Sequence, residues 1–558
     1  MLNLLDPQRV RLGSGFADYH LVADDSAHLE KGDSVSLSEV EFQDELPAPP
    51  PRERSRAAIV AKLWLSKLTI LLPSFLQHKN AEEQGRRRDH PTAWLGKSAN
   101  SKQGEMIDLL TVTDGLRGIA AFFVVWHHMS LLFFSWNVHK AWDGSEGDSL
   151  IQLPIIRLAV SGLPNVYVFF VISGYALSFK PLKLLRQAKL EATYSSLASS
   201  ALRRHTRLFA PPAVICFISM LMTSMKLYGD GGGIPGAATP TLPMPHFDTI
   251  WAQFGDYILF ILQLCDPFAI AQRRWAYNEP LWTLPVEFRS SFVVFGLLLA
   301  LTGSSGRTRV ITISAISAYC LFFVHLPEFL FCGGMLVAAI RIHFDHHDED
   351  HVKDTINDNH SIVLDPLDVK PRITDRLRSW WACLSGCRPL RLLFSVLCLV
   401  TSLFLLSVPR IALGGASATG YTTLAGLIPI HYFLAGVPES FWLAQGAVAL
   451  VLTVDRSPPV LQRLLLSNRV AAYLGRVSFS LYLVHGVLLQ SLGWFVGKAL
   501  VDTVDPESDA QYVAAVAVTA LVFWPVTIWA ADLTWRFVDT PSVRLSAWLQ
   551  RRLCSGGP

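Results

Sequence analysis

Residues 111–130, TVTDGLRGIAAFFVVWHHMS, place ionisable side chains at both ends of an otherwise apolar segment. From Leu116 through Phe134 the segment is long enough to cross a bilayer core as an α-helix, at about 1.5 Å of rise per residue. Ionisable groups at that depth are costly and usually mark functional sites. The sequence therefore predicts a membrane-spanning helix that carries part of a functional site.

Arg117 and His128 fall on one face of this helix. At 100° per residue, the step between them amounts to about three turns, and it separates the two side chains by about 16 Å along the axis. His127 is rotated by about a quarter turn from that face. Because Arg117 and His128 share a face but cannot touch, they are predicted to act at two points of one site, with His128 favoured over His127.

The stretch DGLRGIAAFFVVWHH resembles the first spanning helix of the membrane-bound acyltransferase-3 family, whose signature is Arg, ten residues and His. Later stretches are similar to further motifs of that family. They are FFVISGY (169–175), RRHTRLFAPP (203–212), WTLPVEF (282–288) and YLGRVSFSLYLVHGVLL (473–489). The chain departs from the commoner family pattern at Thr283, where Ser is usual, and at Phe288, where a second Glu is frequent. Only Glu287 is therefore carried over from the WTLPVEF motif.

Composition agrees with a membrane protein. Of 558 residues, 51% are hydrophobic and only 17% are charged, and the mean hydropathy is +0.34. These values describe a polytopic helical membrane protein better than a soluble multidomain one. The predicted fold class is an all-α bundle with about ten transmembrane helices and a disordered cytosolic N-terminal tail.

Ten stretches from Leu116 onward have the length and hydropathy of spans. They lie near residues 116–135, 158–179, 208–228, 281–302, 310–326, 328–342, 391–408, 439–454, 470–492 and 512–534. The stretch 421–437 is the main ambiguity, because Pro429 and His431 interrupt it. It is predicted to be either re-entrant or a short eleventh span.

The remaining chain divides into tails and one insert. Residues 1–105 form a polar cytosolic tail with a possible interfacial helix at 58–77, and the spanning domain occupies 106–545. Within it, 343–390 is a charged cytosolic insert, and 546–558 is a C-terminal tail. The insert contains HFDHHDEDH, but a solvated mixed-charge loop is favoured over a metal site there.

Basic loops set the orientation. The connection after the second span contains one acid, Glu191, against seven basic residues, and such an excess is typical of cytosolic loops. The basic residues are Lys180, Lys183, Arg186, Lys189, Arg203, Arg204 and Arg207. With ten spans, both termini are then cytosolic, while acidic connectors and the loop 229–245 face the other side. The expected location is the endoplasmic reticulum or the plasma membrane.

Each further candidate residue has a structural alternative. Ser173, beside Gly174, suits helix packing and the lining of a site equally well. Glu287, about two turns inside its span, is predicted to be functional, the alternative being an ion pair with Arg289. His485 is about 22 Å from the cytosolic end of its helix, level with His128, and it is a second site residue or a histidine satisfied within the bundle.

Arg203 and Arg204 precede the third span, where basic residues are ordinary orientation anchors. A basic rim at the mouth of the site would also bind a phosphorylated donor such as acyl coenzyme A. Both residues are therefore candidates for donor binding as well as for orientation.

The family resemblance implies an O-acyltransferase that moves an acyl group, with acetyl expected, from acyl coenzyme A to a hydroxyl of a small molecule, lipid or glycan. His128 is the expected base, because a neutral imidazole can accept the proton of a hydroxyl. Glu287 is expected to orient it, and Arg117 to hold the phosphate or pantetheine part of the donor. Acyl coenzyme A is the co-substrate and the bilayer a partner; neither a bound cofactor, a metal nor a nucleic acid is expected.

Two other classes of function use the same features. A proton-coupled transporter would use buried His, Glu and Arg as a relay, and a scaffold would use the spans only as a platform. The sequence shows no two-half repeat of the kind common in transporters, which favours the enzyme.

Overall fold

A computed structural model provides the structure of the protein. It describes residues 72–74, 76, 109–229, 234, 237–239, 244–268, 276–357, 388–411, 415, 418–505 and 508–554. All regular secondary structure in these residues is helical. The predicted all-α fold class is therefore confirmed.

Seventeen α-helices follow one another in the described residues. They are α1 (Leu109–Phe133), α2 (Trp136–His139), α3 (Gly162–Arg186), α4 (Leu190–Ser224), α5 (Ile250–Cys265), α6 (Thr283–Ala300), α7 (Gly306–Phe322), α8 (Leu326–Asn357), α9 (Arg388–Leu406), α10 (Thr422–Gly426), α11 (Ile430–Leu434), α12 (Ser440–Arg456), α13 (Pro459–Leu465), α14 (Arg469–Leu488), α15 (Trp494–Val501), α16 (Asp509–Thr534) and α17 (Thr540–Cys554). Two π-helical segments, Leu489–Gly493 and Trp535–Asp539, join α14 to α15 and α16 to α17.

Eight helical segments in the described part of the chain are long and apolar enough to cross a membrane. They are built on α1, α3, α4, α6, α8, α9, α14 with α15, and α16 with α17. The other two predicted spans, 310–326 and 439–454, coincide with α7 and α12, each of 17 residues. All ten predicted positions are therefore helical, and eight of them have the length and composition of a full span.

The structure adds one apolar helix and excludes one of the two alternatives for the stretch 421–437. Helix α5 has 16 residues and lies in a connection where the sequence analysis predicted no element. The ambiguous stretch 421–437 forms two five-residue helices, α10 and α11, so the eleventh span is not present. Pro429 immediately precedes α11, and proline lacks the N–H that a continuous helix would need there.

Helices α1 and α14 are packed side by side along their length. A Cβ atom on Gly118 would lie 2.3 Å from the backbone nitrogen of Gly475, and one on Gly115 would lie 1.9 Å from the carbonyl oxygen of Leu466. Only glycine allows the backbones to approach so closely. This contact places the Arg-to-His motif of α1 directly against the YLGRVSFSLYLVH motif.

A second close crossing joins α3 to α8. A Cβ on Gly174 would lie 2.1 Å from the carbonyl oxygen of Phe331, and one on Gly334 would lie 2.0 Å from that of Val171. Arg186, twelve residues after Gly174, bonds to the carbonyls of Ile342 and His343, eleven and twelve residues after Phe331, so the two helices are parallel. Gly174 therefore serves helix packing. The role of its neighbour Ser173 depends on the contacts of the Ser173 side chain, which are described below.

A short N-terminal segment contacts the last spanning helix. Ser74 donates hydrogen bonds from its backbone nitrogen (3.1 Å) and its hydroxyl (2.6 Å) to the carboxylate of Asp532, which is fully buried. Arg536 pairs with the same carboxylate at 2.8 Å and donates to the carbonyl of Leu72 at 2.9 Å. The described residues 72–74 and 76 form a bend and turns, and the rest of the predicted helix 58–77 lies outside the described residues.

Candidate active site

The predicted site residues lie at two levels of the bundle. We call the end that carries Arg117 and Arg204 the basic end, and the end that carries His127 and His128 the histidine end. Helix α1 runs from the former to the latter, and its Arg117 and His128 are about 16 Å apart along the axis. The two levels are described in turn.

At the basic end, Arg117 binds α14. Its Nε donates to the hydroxyl of Ser478 at 3.0 Å, and its Nη2 donates to the carbonyl of Gly475 at 3.3 Å. Asp114, one turn earlier on α1, pairs with the same guanidinium at 3.1 Å. These bonds hold Arg117 against α14, while 35% of its side chain stays exposed.

Glu287 brings three helices together at the basic end. Its Oε1 accepts hydrogen bonds from Nη2 of Arg204 on α4 at 2.8 Å and from the hydroxyl of Ser173 on α3 at 3.2 Å. Ser173 therefore contacts a candidate site residue, while the adjacent Gly174 packs against α8. The alternative ion pair between Glu287 and Arg289 is not formed, because Arg289 pairs with Glu328 at 3.1 Å.

The expected contact between Glu287 and His128 is absent from the described residues. A guanidinium makes a charge-assisted hydrogen bond to a carboxylate, which is stronger than a bond to a neutral imidazole. Arg204, supplied by a different helix, therefore takes the position at Glu287 that the sequence analysis expected His128 to occupy. The catalytic role of Glu287 itself stays a prediction.

Arg203 and Arg204 are adjacent in sequence but differ in their contacts. Arg203 donates from Nε to the carbonyl of Ser199, one turn earlier on its own helix, at 3.0 Å. The 100° rotation between successive helical residues explains this difference, because only Arg204 faces α6. The structure thus brings Arg204, but not Arg203, to Glu287.

Two charged residues that the sequence analysis did not propose as site residues also belong to this cluster. Arg207 interacts electrostatically with Arg204, Arg117, Glu287 and Asp539. Arg207 lies one turn after Arg204 on α4, so helical periodicity could have identified it. Asp539 ends the π-helical segment Trp535–Asp539, and π-helical turns often occur at functional sites.

At the histidine end, His128 lies beside His485, with their ring centroids 5.2 Å apart. His485 is fully buried, and its Nδ1 is 2.7 Å from the carbonyl oxygen of Tyr482. A carbonyl only accepts hydrogen bonds, so Nδ1 carries the proton and Nε2 carries the lone pair. In the described part of the chain this Nε2 has no partner, which leaves a basic nitrogen buried at the site.

Tyr482 connects the histidine pair to the start of α6. Its hydroxyl is 2.7 Å from the hydroxyl of Thr283 and also donates to the carbonyl of Pro280, while its ring centroid is 5.9 Å from that of His485. Thr283 stands where the family motif usually has Ser. Because Thr retains the hydroxyl, this departure keeps a hydrogen-bonding group at the position.

His127 has a different environment from His128, which agrees with the prediction that the two side chains lie on different faces of α1. Its Nδ1 donates to the carbonyl of Val160 at 2.6 Å, and a Cβ on Gly162 would lie 2.3 Å from its ring. His139 on α2 donates to the same carbonyl at 3.1 Å, and burial lowers the pKa of its imidazole. His127 is therefore fixed against the segment before α3.

These features define a multi-pass membrane protein with ionisable side chains clustered inside its helical bundle. The family model described as an acyltransferase domain, Acyl_transf_3, matches residues 113–535. The chain belongs to this acyltransferase-3 family and is a membrane O-acyltransferase. The motifs that suggested the family in the sequence lie within the matched residues.

Fungal proteins similar to this chain carry acyltransferase names. O-acetyltransferase PaAT-1 of Phomopsis amygdali is 37% identical over 498 residues, which cover 87% of this chain and 89% of that protein. Acyltransferase R4 of a Phoma species is 26% identical over 62% of this chain and 71% of that protein. Acyltransferase clz18 of Cochliobolus lunatus is 24% identical over 70% of this chain and 81% of that protein. No solved structure matches the chain.

Proposed function

We propose that the protein transfers an acetyl group from acetyl coenzyme A to a hydroxyl of a small molecule, lipid or glycan. The observation that carries this proposal is the placement of His128 against the buried His485, about 16 Å along α1 from the arginines of the basic end. A long, thin donor bound by its phosphates at the basic end would extend toward the histidines. The name of PaAT-1 supports the acetyl group and the oxygen acceptor.

His128 is the proposed base. Its imidazole accepts the proton of the acceptor hydroxyl as the oxygen attacks the thioester carbonyl, and the proton then leaves with the coenzyme A thiol. His485 supports this step as a neutral neighbour, because its Nδ1 proton is committed to the Tyr482 carbonyl. The transfer is direct, so it requires no serine or cysteine nucleophile.

Glu287 has a different proposed role from the one the sequence suggested. Its carboxylate holds Arg204 and Ser173 in place at the basic end, only 21% of its side chain being exposed. It therefore positions a donor-binding arginine, and it does not orient His128 directly. Arg117, anchored on Ser478, is the second proposed donor-binding arginine.

We place the basic end in the cytosol, where acyl coenzyme A is available. The excess of basic residues in the α3–α4 connection supports this orientation. Both termini then face the cytosol, in the endoplasmic reticulum or the plasma membrane. The acceptor would reach His128 from the histidine end or from within the bilayer.

Metabolite profiling of a deletion strain tests the activity. The strain should lose one compound and accumulate another that is lighter by one acetyl group. Membranes containing the protein should convert the lighter compound to the heavier one when acetyl coenzyme A is added. Conversion without any acyl coenzyme A, or no difference between the two strains, would disprove the proposal.

Saturation kinetics test the donor site. Arg204→Ala should raise the KM for acetyl coenzyme A by about tenfold or more, because a charge-assisted contact to phosphate contributes roughly 1.5 to 3 kcal/mol. The KM for the acceptor should change little. Arg203→Ala is the matched control, since Arg203 donates its described hydrogen bond to Ser199 on its own helix and should leave both constants near their original values. Equal effects of the two variants would contradict the assignment.

A further inference from the structure

A cavity of about 650 Å³ lies at the basic end between the last turn of α3, the first turn of α7 and the middle of α8. Its polar lining consists of Arg186, Gln187, Ser305, Arg307, Arg309 and His343. Three of the described residues that line it are arginines, and none of them is acidic. Such a cavity attracts anions.

The cavity is separate from the candidate active site. Helix α3 begins beside His127 at the histidine end, contacts Glu287 through Ser173 and reaches the cavity at Arg186. The thirteen residues from Ser173 to Arg186 correspond to about 20 Å along the helix. A ligand in the cavity would therefore not occupy the position of the reacting groups.

The cavity lies at the ends of two candidate spans. The span on α3 ends at Arg186 and the span on α8 ends at His343. Leu182, Leu185 and Ile342 line the cavity beside these charged residues. Basic pockets between spanning helices at this level are suited to phospholipid headgroups, with the acyl chains against the apolar side.

Hydrogen bonds to backbone carbonyls fix two of the arginines in the cavity wall. Arg186 donates from Nη1 to the carbonyls of Ile342 at 3.1 Å and His343 at 3.2 Å, which joins α3 to α8. Arg309 donates to the carbonyls of Leu301 at 3.3 Å and Thr302 at 3.4 Å, after the end of α6. Both guanidinium groups are therefore positioned before any ligand binds.

The third arginine lies at the start of α7. Arg307 is exposed and forms no ion pair with the described residues. Ser305 caps this helix by accepting from the backbone nitrogen of Thr308 at 3.2 Å, and a Cβ on Gly306 would lie 3.2 Å from Nδ1 of His343. The positive end of the helix dipole adds to the charge of the arginines.

We propose that this cavity binds the phosphate of an anionic phospholipid headgroup, with Arg186, Arg307 and Arg309 around the phosphate and the acyl chains along Leu182, Leu185 and Ile342. The three arginines supply the charge, and the position at the ends of α3 and α8 supplies access from the bilayer. The bound lipid would join α3, α7 and α8 at the membrane surface. This site is independent of the acetyl transfer proposed above.

Native mass spectrometry of the purified full-length protein measures this binding directly. Phosphatidic acid should bind more tightly than phosphatidylcholine. Arg307→Ala should weaken phosphatidic acid binding by about fivefold and Arg307→Glu by about 25-fold, because each charge near the headgroup contributes about a factor of five. Arg307 is exposed and forms no ion pair with the described residues, so both variants should unfold at the temperature of the original protein.

Arg469→Ala provides the matched control, since Arg469 is an exposed arginine at the start of α14 and should leave lipid binding unchanged. Adenosine 3′,5′-bisphosphate, which represents the nucleotide end of coenzyme A, should not displace the lipid. Displacement at equal concentration would assign the cavity to the donor and overturn the lipid proposal. Equal binding of both lipids, or unchanged binding in both Arg307 variants, would also overturn it.

Discussion

The two adjacent histidines of α1 show how one helical step changes the role of a side chain. His128 lies against His485, and no described residue forms a hydrogen bond with its ring, so its nitrogens remain available to a substrate. His127 is bound to the carbonyl of Val160 and packed on Gly162. The chemistry of the two residues is the same, and only their surroundings differ.

His128→Ala should lower acyl transfer by about 100-fold or more, because a positioned base contributes roughly a factor of 100 to 10,000. His127→Ala, the neighbouring control, should keep much more activity, since His139 still donates to the Val160 carbonyl. Turnover is measured in membranes with equal amounts of each inserted protein. If His127→Ala abolishes turnover and His128→Ala does not, the assignment of the catalytic face is wrong.

At the scale of helices, the α1–α14 contact determines which motifs meet. Glycines at the crossing let the backbone of α1 approach that of α14, and this approach brings Arg117 to Ser478 and His128 to His485. The crossing therefore supports both the basic end and the histidine end of the candidate site. A side chain larger than hydrogen at the crossing would separate both pairs.

Gly118→Ala should lower the unfolding temperature of the detergent-solubilised protein, because its Cβ would lie 2.3 Å from a backbone nitrogen and overpacking typically costs about 1 to 3 kcal/mol. Gly296→Ala on α6 is the matched control, as no described atom outside the adjoining backbone of its own helix lies within 4 Å of its Cβ position. Alanine is the better helix former, so that variant should be as stable as the original protein or more stable. Equal destabilisation of both variants would mean that the close crossing is not formed.

At the scale of the whole molecule, the number of crossings decides which side of the membrane each loop faces. Eight helical segments meet the length and composition of a span, and α7 and α12 are shorter. Either eight or ten crossings place both termini on the same side. The two counts differ for the side on which α8 ends. Arg186 at the end of α3 bonds to Ile342 and His343 of α8, so these two ends lie on one side, as ten crossings require. The insert at 343–390 is therefore an informative position.

Glycosylation of the insert tests the topology. Asn359, His360 and Ser361 form an N-x-S acceptor, which lies outside the described residues. With ten spans and a cytosolic N-terminus, Asn359 should carry no glycan in a glycosylating host, whereas an acceptor engineered into the loop 229–245 should be modified. A glycosidase-sensitive shift that disappears in Asn359→Gln would place the insert on the other side and remove the basis for donor entry at the basic end.

The sequence by itself determined the features that depend on one helix at a time. Length and hydropathy predicted ten spans, and a helix is present at each of the ten positions. The 3.6-residue period placed Arg117 and His128 on one face of α1 and His127 on another. The motifs around Arg117 and Glu287 also indicated the family that the family model confirmed. These properties are local, so they can be read from a single stretch of chain.

Only the tertiary structure decided which helices supply the partners of each charged group. Glu287 meets Arg204 and Ser173 from two other helices, and His128 meets His485 from a helix more than 330 residues later in the chain. The sequence analysis paired Glu287 with His128 because it could estimate depth in the membrane but not the neighbours around each helix. Those neighbours are set by close backbone crossings such as Gly118 with Gly475, and a crossing depends on two distant segments at once.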